Sequence, residues 1–183
     1  CKHNLAVRKT LEGIYSTYKG DKTSADWKAF EEYAKRVWFS NGIHHHYNEG
    51  KILPTFSKQY FTTLVQKSDA AALPMPQAEL LSVLTPVIFD PNVFAKRTNK
   101  DQTADVIATS SVNFYEGVTA DEVDKYYQDK IKKAGAKAPM FGLNSKLVKE
   151  GGVLKEIPWK SGGMYGAAID KIILNLGKAI PFA

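Results

Sequence analysis

Residues 24–47, SADWKAFEEYAKRVWFSNGIHHHY, predict an amphipathic helix with a defined beginning and a defined end. Ser24 is a favourable helix N-cap, and Asp26 stands where a negative charge stabilises the first turn. Apolar residues recur every three or four positions and so share one face of the helix: Trp27, Phe30, Tyr33, Ala34, Val37 and Trp38. Asn41 and Gly42 tolerate the left-handed backbone that ends a helix. The three histidines that follow are therefore expected in extended or loop structure.

Further helices are predicted on both sides of this one. The pattern Thr119-Ala-Asp-Glu122 is a capping box, and it opens a helix that closes at Gly135. A short helix from Gln77 to Leu84 is expected to stop at Pro86, because a residue before proline is pushed out of helical geometry. Apolar spacing predicts three others: Leu5–Tyr18, Ser57–Val65 and Met164–Ile180.

The strand signal is confined to a small part of the chain. Two β-prone runs joined by Gly151-Gly152 predict a hairpin near 145–157, since glycine adopts the positive φ angles of a tight turn. The stretch 105–115 could be a strand or a short helix, and extended structure is favoured; 68–76 is expected to be an irregular connection. The fold class is therefore α+β, mainly helical with a small antiparallel β component, over a single unit at 1–183.

Composition excludes several classes of protein. The net charge of +6 is scattered over 183 residues without a dense basic stripe, so no nucleic-acid partner is predicted. No apolar run approaches the roughly 20 residues that span a bilayer, so no membrane partner is predicted either. The single cysteine, Cys1, cannot form an internal disulfide. Because the chain starts without methionine, both ends are interpreted as cuts in a longer polypeptide, and Cys1 also leaves a lipoprotein start open.

The histidine tract His44-His45-His46 admits more than one interpretation. On an extended segment alternate side chains share a face, so His44 and His46 could both reach one metal ion. Zinc needs at least a third protein ligand, and the sequence identifies none. The chain also lacks a His-Glu dipeptide, a Gly-x-Ser-x-Gly motif and a phosphate-binding loop, so no catalytic residue is predicted. One hypothesis is a non-enzymatic module that binds a metal or a partner through this tract; the other is a polar and aromatic wall of a substrate cleft. The imidazoles could also simply form hydrogen bonds within the fold or lie on its surface.

Three blocks of the sequence resemble one family in the same order. Residues 33–47, YAKRVWFSNGIHHHY, with KILP at 51–54, resemble the first recognisable block of the dipeptidyl peptidase III family of zinc metallopeptidases, especially its bacterial branch. FYEGVTADE at 114–122 resembles the turn and capped helix of that family. LNSKL at 143–147, continued through the hairpin to Gly163, resembles the strand pair that follows.

The resemblance implies a function that this chain holds only in part. Members are two-lobed enzymes that release dipeptides from the N-termini of peptides, with zinc held by a His-Glu-x-x-x-His helix and a glutamate from a second motif. Neither motif occurs here. The chain is therefore expected to be a fragment of the lobe that faces the zinc lobe, with zinc as cofactor of the full-length parent and none in the fragment. Its implied partners are short peptides and the zinc lobe of the same chain, its implied location is cytoplasmic, and it should be inactive alone.

The resemblance also implies which residues meet the substrate. In the family, the block that matches Ile43–Glu49 lies at the cleft, and the aromatic at Tyr47 walls the pocket for the second residue of the substrate. Asn41, Gly42 and His46 border that pocket. Many eukaryotic relatives have Tyr-Lys-Ser-Phe-Gly-Asp at positions 44–49, which leaves the polarity of the pocket open.

Overall fold

The computed structural model describes residues 2–182, and of Lys2 the backbone alone. Cys1, where the alternative lipoprotein start would lie, is outside the described residues. The structure is α+β and mainly helical with one small sheet, so the predicted fold class is confirmed. Its internal contacts form two compact units, residues 1–112 and residues 113–183. The expectation of one folded unit over the whole chain stays a prediction.

The first unit is built from four helices. They are α1 (Lys2–Thr17), α2 (Ala25–Phe39), α3 (Lys58–Gln66) and α4 (Gln77–Phe89). The predicted irregular connection at 68–76 contains a single turn of 3-10 helix, Ala70–Ala72. The apolar faces of all four helices meet in one core, whose largest fully buried side chains include Leu11, Phe30, Tyr33, Phe61 and Leu84.

Helix α2 begins and ends as its sequence predicts. The Ser24 hydroxyl accepts a hydrogen bond from the backbone N–H of Trp27. The helix stops at Phe39, and Asn41 then adopts a φ of 54°. The N–H of Gly42 donates to the carbonyl oxygen of Val37 at 2.9 Å, which satisfies one of the last free carbonyls of the helix. This reversal turns the chain back from α2 into the histidine tract.

The prediction that the fourth helix stops at Pro86 is wrong. Helix α4 continues through Pro86 to Phe89, and the Pro86 carbonyl accepts a hydrogen bond from the N–H of Asp90. The missing proline N–H weakens the helix at this point. The turn beyond it nevertheless buries Val87 and Ile88 in the core, and this burial favours continuation of the helix.

The prediction of extended structure at 105–115 is also wrong for most of its length. The Asp105 carboxylate accepts hydrogen bonds from the N–H groups of Ile107 and Ala108, and the N–H of Thr109 donates to the Asp105 carbonyl. An aspartate that bonds to nearby backbone in this way stabilises a turn. Only the last residue of the predicted stretch, Tyr115, belongs to a strand.

The second unit combines a three-stranded sheet with two helices. Its elements are β1 (Tyr115–Glu116), α5 (Ala120–Ala134), β2 (Ser145–Glu150), β3 (Val153–Pro158) and α6 (Gly166–Ala179), with 3-10 turns at Gly135–Lys137 and Ile180–Phe182. The strand order is β1-β2-β3, with β1 parallel to β2 and β2 antiparallel to β3.

Two local predictions in this unit are confirmed. The hairpin turns at Gly151 and Gly152, whose φ angles are 57° and 82°. The capping box is complete, because Thr119 accepts from the N–H of Glu122 while the Glu122 carboxylate accepts from the N–H of Thr119. Among the described helices of the whole chain, none is long and apolar enough to cross a membrane.

Candidate functional site

The histidine tract opens a short loop that folds back on itself. The N–H of Ile52 donates to the carbonyl of Ile43 at 2.8 Å, and the N–H of His45 donates to the carbonyl of Gly50 at 2.7 Å. His44 and Lys51 form an isolated antiparallel bridge. Residues 46–48 between them form a turn rather than a strand. The alternation that would place His44 and His46 on one face of a strand is therefore absent from this loop.

His44 fastens the loop to the core of the unit. Its side chain is buried, with 4% of the residue exposed, and its Nε2 lies 2.7 Å from the carbonyl oxygen of Phe94. A carbonyl can only accept, so Nε2 carries the proton in this pair. Burial lowers the pKa of His44, although the bond to Phe94 acts in the opposite direction. Burial thus favours the neutral imidazole of His44, and the role of this side chain is structural.

The neighbouring segment 94–97 braces the other side of the loop. The Arg97 guanidinium binds the Glu49 carboxylate with two hydrogen bonds, of 2.8 and 2.7 Å. These bonds from Arg97 lower the pKa of Glu49. The Lys51 ammonium donates to the carbonyls of Asp90 and Val93. Partial burial lowers the pKa of Lys51 to about 8. The backbone that carries the exposed side chains is therefore held by the His44 bond and by these contacts of Glu49 and Lys51.

Four rings project from this braced loop and from the end of α2, and we call them the aromatic cluster: Phe39, His45, His46 and Tyr47. The His46 ring lies 3.9 Å from the Tyr47 ring, 4.9 Å from the Phe39 ring and 5.2 Å from the His45 ring, measured between centroids. Tyr47 is 81% exposed and Phe39 is 79% exposed. The cluster is thus an aromatic surface that faces solvent on a fixed backbone.

One nitrogen inside the cluster is left unpaired. The Nδ1 atom of His46 is shielded from solvent and has no hydrogen-bond partner within residues 2–182. Buried polar atoms in folded proteins usually have a partner, and exceptions occur where a ligand or water completes the bond. This atom is therefore a candidate contact for a bound polar group.

A cavity of about 270 Å³ lies beside the reversal that follows α2. It is lined by Asn4, Leu5, Arg8, Val37, Asn41 and Gly42. Arg8 Nη1 donates to the Asn41 side-chain oxygen at 3.5 Å, and the N–H of Ile43 donates to the Asn4 side-chain oxygen at 3.4 Å. A Cβ on Gly42 would lie 2.9 Å from the Asn4 amide nitrogen, so glycine is what allows this packing.

The five predicted substrate-binding residues fall in different surroundings. Asn41 and Gly42 line the cavity, His46 and Tyr47 belong to the aromatic cluster, and Ile43 is buried in the core. Their role in substrate binding stays a prediction. Sequence reasoning missed Asn4 and Arg8, which enter from α1. No local pattern marks them, because only the packing of α1 against the end of α2 brings them to Asn41.

Metal ligation finds no support in the geometry of the described chain. Within residues 2–182, no group of three His, Cys, Asp or Glu side chains converges in a way that could hold an ion. The Nε2 of His44 is already paired with a carbonyl. The zinc that the family resemblance implies for a parent enzyme therefore has no fitting ligand set among residues 2–182.

Comparison with known proteins gives no independent identification. No protein-family model matches the chain, and a search of curated proteins finds no matching sequence.

Proposed function

We propose that this chain is the substrate-binding part of a zinc-dependent exopeptidase similar to dipeptidyl peptidase III, which releases dipeptides from peptide N-termini. In this proposal the chain binds peptide and the zinc lobe of the same polypeptide performs the hydrolysis. The fragment alone is inactive. A cytoplasmic location goes with the proposal, since it comes from the same resemblance.

The observation that carries the proposal is the exposed aromatic cluster on a braced loop. Clustered exposed apolar side chains usually mark a binding surface. Tyr47 offers a flat, exposed apolar face, and the polar imidazole of His46 lies 3.9 Å away between ring centroids. A ligand that combines apolar side chains with backbone amides, such as a peptide, suits this pairing.

The rigidity of the loop supports the same proposal. Binding costs free energy when side chains and loops must become ordered. Here the His44–Phe94 bond and the two-bond Glu49–Arg97 pair hold the backbone before any ligand arrives. The ring of Tyr47 is thus presented at little further entropic cost, which favours recognition of a side chain by stacking.

A pair of tetrapeptides tests the role of Tyr47. Ala-Phe-Ala-Ala and Ala-Gly-Ala-Ala differ only at the second residue, the one that the Tyr47 wall would contact. We expect the phenylalanine peptide to bind roughly three- to tenfold more tightly, the size of one aromatic contact. Tyr47→Ala should remove this difference. Two-dimensional NMR titration of the labelled protein measures both affinities.

The matched control is Phe182→Ala, which removes an aromatic ring that is also highly exposed but lies in the second unit. It should leave the difference between the two peptides intact. Equal affinity of the wild-type chain for both peptides would contradict the proposal. Tight stoichiometric zinc binding by calorimetry, lost in His44→Ala and His46→Ala, would favour the metal-binding module instead.

A further inference from the structure

We infer that the cavity between α1 and the end of α2 is a carboxylate-binding site for ligands that carry an apolar group beside the carboxylate. We call it the α1–α2 cavity, with the six lining residues given above. The inference shares Asn41 and Gly42 with the exopeptidase proposal but does not rest on it, because it requires neither Tyr47 nor zinc.

The side chains that line this cavity carry more hydrogen-bond donors than acceptors. The Asn41 side-chain oxygen accepts from Arg8, and the Asn4 side-chain oxygen accepts from the N–H of Ile43. Both partners can only donate, so the orientation of each amide is settled by its bond. The amide nitrogens of Asn4 and Asn41 and the Arg8 guanidinium then remain. Each amide oxygen keeps one lone pair, but the N–H groups outnumber these acceptors, so the lining favours an acceptor-rich ligand.

Arg8, whose charge is partly offset by Glu12, is the charged side chain of this lining and favours an anionic ligand. Its Nε binds Glu12 at 2.9 Å, one turn further along α1, which orients the guanidinium and leaves the terminal nitrogens for other contacts. Nη1 points to Asn41, at the lining of the cavity. The planar fork of arginine matches a carboxylate with two parallel hydrogen bonds.

The rest of the lining favours an apolar group next to the carboxylate. Leu5 is 52% exposed and contributes aliphatic surface to the lining, which also includes Val37. The volume of about 270 Å³ accommodates a group the size of an amino acid. A free aliphatic acid and the C-terminal residue of a peptide share this chemistry.

Matched ligands test the inference on the intact chain. N-acetyl-leucine and N-acetyl-leucine amide differ in the carboxylate alone, and Ala-Ala-Leu presents the same group at a peptide C-terminus. We expect the two acids to shift the NMR signals of the Asn4 and Asn41 side-chain amides and the amide to have no effect at the same concentration. Binding of both acids supports a general carboxylate site, and binding of Ala-Ala-Leu alone supports a site for peptide C-termini.

Variants tie the binding to the named donors. Arg8→Gln should weaken N-acetyl-leucine binding by about tenfold or more, the loss expected for hydrogen bonds to a charged group. Asn41→Gly keeps the positive φ and removes the amide, so it should weaken binding even if Arg8→Gln disturbs the helix. Arg36→Gln, an exposed arginine of α2 that does not line the cavity, should bind as the wild type does.

Three results would overturn the inference. They are equal shifts with N-acetyl-leucine and its amide, equal weakening by Arg8→Gln and Arg36→Gln, and competition by inorganic phosphate at the same concentration as the acid. The peptide test at Tyr47 compares two peptides that share the same C-terminal carboxylate and depends on Tyr47→Ala, whereas this test depends on Arg8→Gln and Asn41→Gly, so either idea can fail while the other stands.

Discussion

His44 links the fold of the first unit to pH. Burial lowers the pKa of its imidazole in the folded protein, whereas the unfolded chain has an ordinary histidine pKa near 6.5. Between these two values the unfolded chain binds more protons than the folded chain. Protonation therefore favours unfolding, and the stability that neutral His44 contributes is present above about pH 6.5 and is lost as the pH falls below it.

We expect the wild-type free energy of unfolding to fall between pH 7 and pH 5 more steeply than that of His44→Gln. Glutamine keeps an N–H group for the Phe94 carbonyl and does not titrate in this range. Urea denaturation at several pH values measures the slopes. Ser16→Ala is the control, since Ser16 is exposed and does not titrate in this range, and it should retain the wild-type slope. Identical slopes for the wild type and His44→Gln would contradict the assignment.

At this scale the sequence predicts the backbone better than the role of a side chain. The end of α2 is predictable from Asn41 and Gly42, because the freedom of these residues to adopt a positive φ is a local property. Nothing local shows that His44 pairs with Phe94, fifty residues further on, or that Arg8 reaches Asn41. Such partners are brought together by tertiary packing, and no short pattern in the sequence identifies them.

The N-cap residue Ser24 contributes to the stability of helix α2. Ser24 satisfies the N–H of Trp27, and replacing a serine cap by alanine typically costs about 1 kcal/mol. We expect Ser24→Ala to lower the free energy of unfolding by that amount, because the N–H of Trp27 then loses its partner in the first turn of the helix. Chemical denaturation followed by circular dichroism measures the change.

Ser16→Ala is the matched control for this prediction. The Ser16 hydroxyl donates to the Glu12 carbonyl within α1, is exposed and caps no helix end. Alanine has the higher helix propensity, so this change should be close to neutral. Equal destabilisation by the two substitutions would show that the Ser24 cap has no special part in the fold.

A helix or a strand was predictable from the sequence where its capping or turn residues and its spacing of apolar residues indicate the same structure. The capped helix after Thr119 and the Gly151-Gly152 hairpin have such agreement, and both are confirmed. Pro86 predicted the end of a helix. The helix continues instead, because its last turn buries Val87 and Ile88 in the core. At 105–115 the apolar residues suggested a strand, and the hydrogen bonds of Asp105 produced a turn.

The two units differ in how much core each one holds. The main hydrophobic cluster of the described residues lies wholly in the first unit, from Val7 to Ile88. In the second unit the buried apolar side chains are Val118, Val123, Leu147 and Val148. Much of the apolar surface of α6 and the turn after it is exposed, at Ile172, Ile173, Leu174, Leu176, Ile180 and Phe182. A small unit with so few buried side chains has little hydrophobic stabilisation to offset the loss of chain entropy.

We therefore expect residues 1–112 to fold alone and residues 113–183 to lose fixed structure alone. The first piece keeps the whole core cluster, so it should show a helical circular dichroism spectrum and a cooperative thermal transition. The second should bind an apolar dye strongly, because its core is small and the apolar side chains of α6 are exposed. Dispersed amide NMR spectra would report a fixed structure in each piece. If neither piece melts cooperatively while the full chain unfolds in one transition, the chain is a single folding unit, as its sequence first suggested.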